Sequence, residues 1–208
     1  MTIIVTGAAG QLGRELVRLL GDDAWPLDLP EHDLTDHEAT LALVNRLRPQ
    51  AVINCAAYVR VDDAEEKSQR CFRVNSLAVA NLVEACRAVD ARLVQISTDY
   101  VFGGSTALGR PFRETDPPAP NGVYARSKYE AEMHVAKWAR HTIVRSCGLY
   151  ARQDAPSATG NFVQTILRFA KSGRPLRVVN DQHCTPTYVP HLAAAICHLL
   201  SSDASGIF

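Results

Sequence analysis

Two strings in the 208-residue chain set chemically capable residues at useful spacings. The first is Gly7-Ala8-Ala9-Gly10-Gln11-Leu12-Gly13, a G-x-x-G-x-x-G pattern between a β-branched run at 2–6 and a helix-like stretch at 11–20. Bare backbone at Gly7, Gly10 and Gly13 can approach a pyrophosphate, and the N–H groups that open the following helix can face it. Asp28 stands twenty-one residues after Gly7, at the expected end of a second strand, where a carboxylate can accept from the hydroxyls of an adenosine ribose. The same charge tends to repel a 2′-phosphate, whereas Arg14, just past the glycine loop, could meet one.

The second string is Tyr124-Ala125-Arg126-Ser127-Lys128, at the start of an expected helix. Tyr and Lys at i, i+4 share a helix face, so the ammonium can lie near the phenol and near a bound cofactor. Moving a phenol from about 10 to about 7 costs on the order of 4 kcal/mol, which a cation roughly 4 Å away at an effective dielectric near 20 would supply. A tyrosine so placed is an acid/base near neutral pH. Alone, such a pair is more often a solvated surface contact; behind a dinucleotide-type glycine loop in an alternating chain, the catalytic reading prevails. A third element, Ser97-Thr98-Asp99-Tyr100-Val101-Phe102-Gly103, follows the fourth strand-like segment. Its hydroxyls either close a turn or reach a substrate carbonyl oxygen, since ligands bind at the carboxyl ends of strands in open α/β sheets.

The elements that must hold these residues alternate. Strand patterns at 2–6, up to 27–28, at 51–55, 93–97 and 142–145 are separated by helix patterns at 11–20, 35–47, 72–89 and from 123 onward. Thr35 and Glu38 have capping-box spacing. The alternation predicts an α/β fold, a doubly wound parallel sheet with helices on both faces, here a dinucleotide-binding Rossmann fold over residues 1–150. After Tyr150 the pattern changes to a loop, a helix at 162–172 stopped by Gly173, a short strand at 176–179, a loop at 180–187 and a last helix at 189–200. Residues 151–208 are too few for a core of their own and read as a small, incomplete substrate-binding lobe.

Composition narrows the partners. The chain is 47% apolar and 21% charged, and 22 Lys plus Arg offset 22 Asp plus Glu, so no global field draws it to nucleic acid or an anionic membrane. Its apolar stretches are too short to span a bilayer and no signal peptide is readable, which makes the cytoplasm the expected location. None of the six cysteines forms a C-x-x-C pair; buried, reduced thiols are expected, and no metal site.

The three elements, in this order, resemble the extended short-chain dehydrogenase/reductase superfamily, and more narrowly the dTDP-4-dehydrorhamnose reductase family. The resemblance runs over essentially the whole chain, through Asp33-Leu34-Thr35-Asp36, Val52 to Tyr58, Val74-Asn75-Ser76, Ser97 to Phe102, Tyr124 to Lys128, Asn161-Phe162-Val163 and Asp181 to Thr187. It implies an NAD(P)H-dependent oxidoreductase that reduces the C4 keto group of dTDP-4-dehydro-L-rhamnose or a closely related nucleotide 4-keto sugar, for cell-surface polysaccharide precursors. By the resemblance, Gly10, Gln11 and Leu12 contact the cofactor phosphates, Asp28 meets the ribose, Asp33 and Leu34 border the adenine, and Ala57, Tyr58, Val59 and Ile96 line the cofactor. Tyr124 donates the proton, Lys128 binds the nicotinamide ribose and lowers the tyrosine pKa, and Thr98 with Asp99 holds the keto sugar; Gly148 and Asn161 complete the substrate-binding set.

Three departures qualify the likeness. Gly148 stands where the best-known reductases carry a tryptophan against the sugar. Glu15 matches one ligand of a magnesium bridge between subunits, but Pro190 stands where another carboxylate is needed, so a homodimer, if formed, is expected without a bridging metal. The chain also stops at Phe208, where the family begins another strand, so a truncated or partial chain is expected. Two other readings compete: a related nucleotide-sugar epimerase or dehydratase, and a non-catalytic dinucleotide-binding regulatory subunit like the β subunit of methionine adenosyltransferase. Thr98, Tyr124 and Lys128 together favour the enzyme, and the S-T-D-Y-V-F string favours the reductase.

Overall fold

The computed structural model describes residues 1–105, 109–151, 162–173, 175–180, 182–202 and 204–208. From the N-terminus come β1 (Ile3–Thr6), α1 (Gln11–Leu20), β2 (Ala24–Leu27), α2 (His37–Leu47), β3 (Ala51–Asn54), α3 (Val61–Glu66), α4 (Ser68–Phe72) and α5 (Ala78–Ala88). There follow β4 (Arg92–Thr98), α6 (Val123–Val135), β5 (His141–Ser146), β6 (Leu149–Tyr150), α7 (Phe162–Lys171), β7 (Thr187–Tyr188), α8 (Val189–Ser201) and β8 (Gly206–Ile207). The main sheet runs β2-β1-β3-β4-β5-β8 with every pair parallel, and β6 pairs with β7 in a separate two-stranded ladder. Strand order reverses between β1 and β3, where Thr6 lies opposite Asn54, so the crevice of this doubly wound sheet opens at the residues that follow those two strands.

Strand side chains alternate between two cores, as a pleated sheet covered on both faces requires. Ile3, Val5, Ala51, Ile53, Val94 and Ile96 face Leu12 and Leu16 of α1 and Val189, Leu192, Ala193 and Ile196 of α8. Ile4, Val52, Leu93 and Ile143 face Val44 of α2, Val79, Leu82 and Val83 of α5, and Ala131 and Val135 of α6. Thus α8 covers the same sheet face as α1, and β8 extends the sheet beyond β5. Buried Arg92 ties this end of the chain down by donating to the carbonyls of Leu199, Leu200 and Ala204.

Several local expectations change. The capping residue of α2 is Asp36, whose Oδ1 accepts from the Ala39 N–H at 3.0 Å; Thr35 instead accepts from Arg73 Nη2 at 2.9 Å. The carboxylate is the stronger acceptor beside the helix N-terminus. The helix read over 72–89 is broken by a π-helical turn, Arg73–Leu77, which bears the buried Asn75. The strand read at 176–179 joins no ladder: Leu176, Val178 and Val179 are exposed, and β-branched composition without a neighbouring strand leaves backbone groups to the solvent. All six cysteines are free, but only Cys71, Cys86 and Cys147 are buried; Cys55 and Cys197 are half-buried and Cys184 is exposed.

Candidate active site

A pocket of about 840 Å³ lies along the carboxyl ends of β1, β3, β4 and β5. Its floor at the β1–β3 switch point is set by a chain of buried amides and hydroxyls. Thr6 Oγ1 donates to Asn54 Oδ1 at 2.5 Å, Asn54 Nδ2 to Gln95 Oε1 at 2.8 Å, and Gln95 Nε2 to the Ile96 carbonyl at 2.8 Å. This chain fixes the strand ends from which the two adjoining loops depart. The glycine loop then packs so closely that Gly7 and Gly13 are obligatory. A Cβ on Gly7, where φ is +63°, would lie 2.6 Å from the Ala56 nitrogen, and one on Gly13 would lie 2.2 Å from the Gly7 carbonyl oxygen. Asp28, just past β2, closes the loop from outside.

At the other end of the pocket, α6 presents Tyr124 and Lys128 to the last residues of β4. Lys128 is buried, and its Nζ donates to the Ile96 carbonyl at 2.6 Å. The Tyr124 ring meets the Tyr100 ring edge-on at 5.9 Å between centroids, and its hydroxyl has the Thr98 hydroxyl as a neighbour on the pocket wall. Thr98 Oγ1 also accepts from the Tyr100 N–H at 3.2 Å and donates to Asp99 Oδ1 at 3.3 Å. The expected lowering of the tyrosine by its lysine is not what this geometry produces. Burial pushes the Tyr124 phenol up to about 12, against the smaller downward pull of the Thr98 hydroxyl. Burial likewise pushes Lys128 down to about 8, with Glu132 the largest influence the other way. Desolvation disfavours the charged form of each group, and here it outweighs the neighbours that favour ionisation, Thr98 for the phenol and Glu132 for the ammonium.

The pocket wall brings together Gly7, Gly10, Gln11, Leu12, Gly13, Asp28, Asp33, Leu34, Ala57, Val59, Ile96, Thr98, Asp99, Tyr124, Lys128 and Gly148. Tyr58 does not reach it: the phenol donates to Asp63, and the Arg70 guanidinium lies over the ring at 5.8 Å. Asn161 lies outside the described residues, as does Asp181. Arg14, His32, Tyr100, Ser146 and Cys147 line the wall without having been assigned a binding role, and only Arg14 carried a sequence signal, its charge beside the glycine loop.

Asn75 is a supporting residue that pattern alone does not reveal. Its Oδ1 accepts from the Tyr58 N–H at 2.7 Å, while its Nδ2 donates to the Tyr58 carbonyl at 3.1 Å and to Ser127 Oγ at 3.0 Å. Ser127 donates in turn to the Tyr124 carbonyl at 2.7 Å. One buried amide thereby clamps the 57–59 loop to the helix turn that bears Tyr124. Among the described residues no cluster of three or more His, Cys, Asp or Glu is placed to hold a metal ion, and no helix is long and apolar enough to cross a membrane.

The chain matches the RmlD substrate binding domain family over residues 1–208. A dTDP-4-dehydrorhamnose reductase of Streptomyces griseus is 39% identical over 208 residues, covering 98% of this chain and 66% of that protein. The crystal structure of a dTDP-4-dehydrorhamnose reductase from Clostridium acetobutylicum superposes with a TM-score of 0.91 at 36% identity, over 100% of this chain and 73% of its own. A Bacillus anthracis dTDP-4-dehydrorhamnose reductase in complex with NADP gives a TM-score of 0.89 at 36% identity, over 100% and 74%. The chain spans about two thirds of the length of the curated relatives it matches. With a family match over residues 1–208 and with sequence and fold in agreement, the chain belongs to the RmlD substrate binding domain family.

Proposed function

We propose that the chain is an NADPH- or NADH-dependent 4-ketoreductase that acts on dTDP-4-dehydro-L-rhamnose or a closely related nucleotide 4-keto sugar. The observation that carries this reading is the convergence of Thr98, Tyr124 and Lys128 on one pocket whose far end is the glycine loop. The residues present fit a dinucleotide: side-chain-free Gly7 and Gly13 let the loop fold tightly against Ala56 and its own backbone, and Gly7 to Gly13 line the pocket beside Asp28. Gly10, Gln11 and Leu12 would hold the phosphates, Asp28 the adenosine ribose, Asp33 and Leu34 the adenine, and Lys128 the nicotinamide ribose. When bound, the reduced nicotinamide supplies the hydride.

The chain's own residues orient the sugar and deliver the proton. Thr98 and Asp99 hold the keto sugar at the end of β4, and the Tyr124 hydroxyl donates to its C4 oxygen. Held near 12, that hydroxyl is protonated throughout the neutral range, as a donor in the reductive direction must be. Gly148 and Asn161 belong to the sugar side of the proposal, as does a division into a cofactor domain at 1–150 and a partial substrate lobe at 151–208. We place the enzyme in the cytoplasm, as a homodimer without a bridging metal: Glu15 is occupied by Arg18, with contacts of 2.6 and 2.9 Å. Oxidation of NADPH or NADH on addition of dTDP-4-dehydro-L-rhamnose tests the function. A folded protein that binds the dinucleotide and never turns over would sink it, and would favour the regulatory reading instead.

A further inference from the structure

Glu132 is a carboxylate in the protein interior that the proposed chemistry does not use. It stands on α6 at i+4 from Lys128 and i+8 from Tyr124. Both oxygens are engaged: Oε1 accepts from Ser97 Oγ at 2.5 Å and from Arg145 Nε at 3.0 Å, and Oε2 accepts from Arg145 Nη2 at 2.7 Å. The side chains of Arg145 and Glu132 are only 7% and 4% exposed. A pair this dry gains little over an apolar pair of the same volume, so stability alone does not account for it.

Its placement does. Three consecutive residues of β4 each meet a turn of α6: Thr98 neighbours Tyr124 on the pocket wall, the Ile96 carbonyl accepts from Lys128, and Ser97 donates to Glu132. Lys128 is faced by Tyr124 and Glu132 from its own helix, by Cys55 from the end of β3 and by Cys71 from α4. Burial pushes the Cys55 thiol up to about 12, and Cys71 Sγ lies 3.3 Å from Ser127 Oγ in a hydrogen bond. Glu132 is the carboxylate of the set. Arg145 is itself held over the Phe102 ring at 5.0 Å and donates to the Glu114 carbonyl at 3.3 Å, so the carboxylate cannot swing away.

We propose that Glu132 is a positioning residue for the acid/base pair: fixed by Arg145 and Ser97, it keeps Lys128 a charged ammonium in register with the pocket end of β4. The role rests on the one proposed above for Lys128, which needs the ammonium to hold the nicotinamide ribose.

The chain has four lysines, Lys67, Lys128, Lys137 and Lys171, so lysine labelled with carbon-13 at Cε gives a resolvable set of resonances, the Lys128 signal being assigned by its loss in Lys128→Arg. In Glu132→Gln the Lys128 titration midpoint is expected to fall by about one pH unit. That variant leaves Arg145 buried without its partner and can fail to fold. Glu132→Gln combined with Arg145→Met removes both charges, and a downward shift of about half a unit is expected there, because Glu132 is the nearer charge. A folded double variant whose Lys128 midpoint stays at the wild-type value overturns the proposal and leaves Glu132 a packing element. The readout needs neither dinucleotide nor sugar, so failure of the reductase reading, seen as absent turnover, is distinguishable from failure of this one.

Discussion

Asp28 accepts the Ala9 N–H at 2.6 Å through Oδ2 and the Leu29 N–H at 2.8 Å through Oδ1, joining the end of β2 to the glycine loop. Its charge thus sits where an adenosine ribose would lie, with Arg14 on the same pocket wall. Replacing Asp28 by Ala removes a ribose acceptor and the repulsion toward a 2′-phosphate together. The ratio of NADPH to NADH affinity is expected to rise by about tenfold, roughly one charged hydrogen bond. Titrating both dinucleotides against wild type and variant measures it; an unchanged ratio would remove Asp28 from the ribose.

The proposed roles give the chemistry to Tyr124 and the binding to Lys128. Tyr124→Phe keeps the ring contact with Tyr100 and loses only the hydroxyl that faces Thr98. Turnover is expected to drop by about 10²–10⁴-fold, the usual worth of a placed general acid, while the dinucleotide Kd moves by less than about threefold. Steady-state rates beside equilibrium binding separate the two; retained turnover would reassign the proton donor.

Lys128 also carries a stability signature. Its folded value of about 8 lies below the ordinary 10.5, so between these values the unfolded chain binds a proton that the folded chain has released. Stability therefore rises as pH climbs through this window, and the cost of burying the ammonium is present in full below about pH 8. That gap corresponds to about 3 kcal/mol, partly offset by about 1 kcal/mol for the hydrogen bond to Ile96. Lys128→Met is accordingly expected to be more stable than wild type by about 1–2 kcal/mol at neutral pH, with the difference closing toward pH 10. Urea unfolding of both proteins at pH 7 and pH 9.5 checks it, and a pH-independent difference would contradict the assignment.

What the sequence made legible was periodic or glycine-bound. The alternation of Ile3, Ile4 and Val5 between two cores, the collision that any Cβ at Gly7 or Gly13 would cause, and the shared face of Tyr124 and Lys128 all follow from local geometry written in residue order. What stayed hidden depends on partners distant in sequence. Asn75 becomes a clamp only because a π-helical turn delivers it to Tyr58 and Ser127, seventeen and fifty-two residues away. The direction of the Tyr124 shift is hidden for the same reason: the i, i+4 spacing shows a cation on the same helix face, whereas the burial that dominates the shift is a property of the assembled pocket. Tyr58 is expected beside the cofactor, yet its ring lies against Arg70 and its hydroxyl on Asp63, because a half-buried acid and an exposed base offer the phenol better partners than the pocket wall does.

Gly148 is the pocket glycine whose absence of a side chain is a choice of space rather than of backbone. A Cβ there meets nothing within 4 Å, and the residue lies on the wall near Thr98 and Asp99. A side chain can therefore leave the backbone there without a clash at its Cβ, in contrast to Gly13, where the added carbon strikes the Gly7 carbonyl. Gly148→Trp is expected to change stability by less than about 0.5 kcal/mol. If the sugar sits against Thr98, the ring adds apolar contact worth on the order of 1 kcal/mol, so KM for the 4-keto sugar should fall by about fivefold while dinucleotide affinity stays put. A variant that weakens dinucleotide binding and leaves the sugar KM alone would place Gly148 on the cofactor side of the pocket instead.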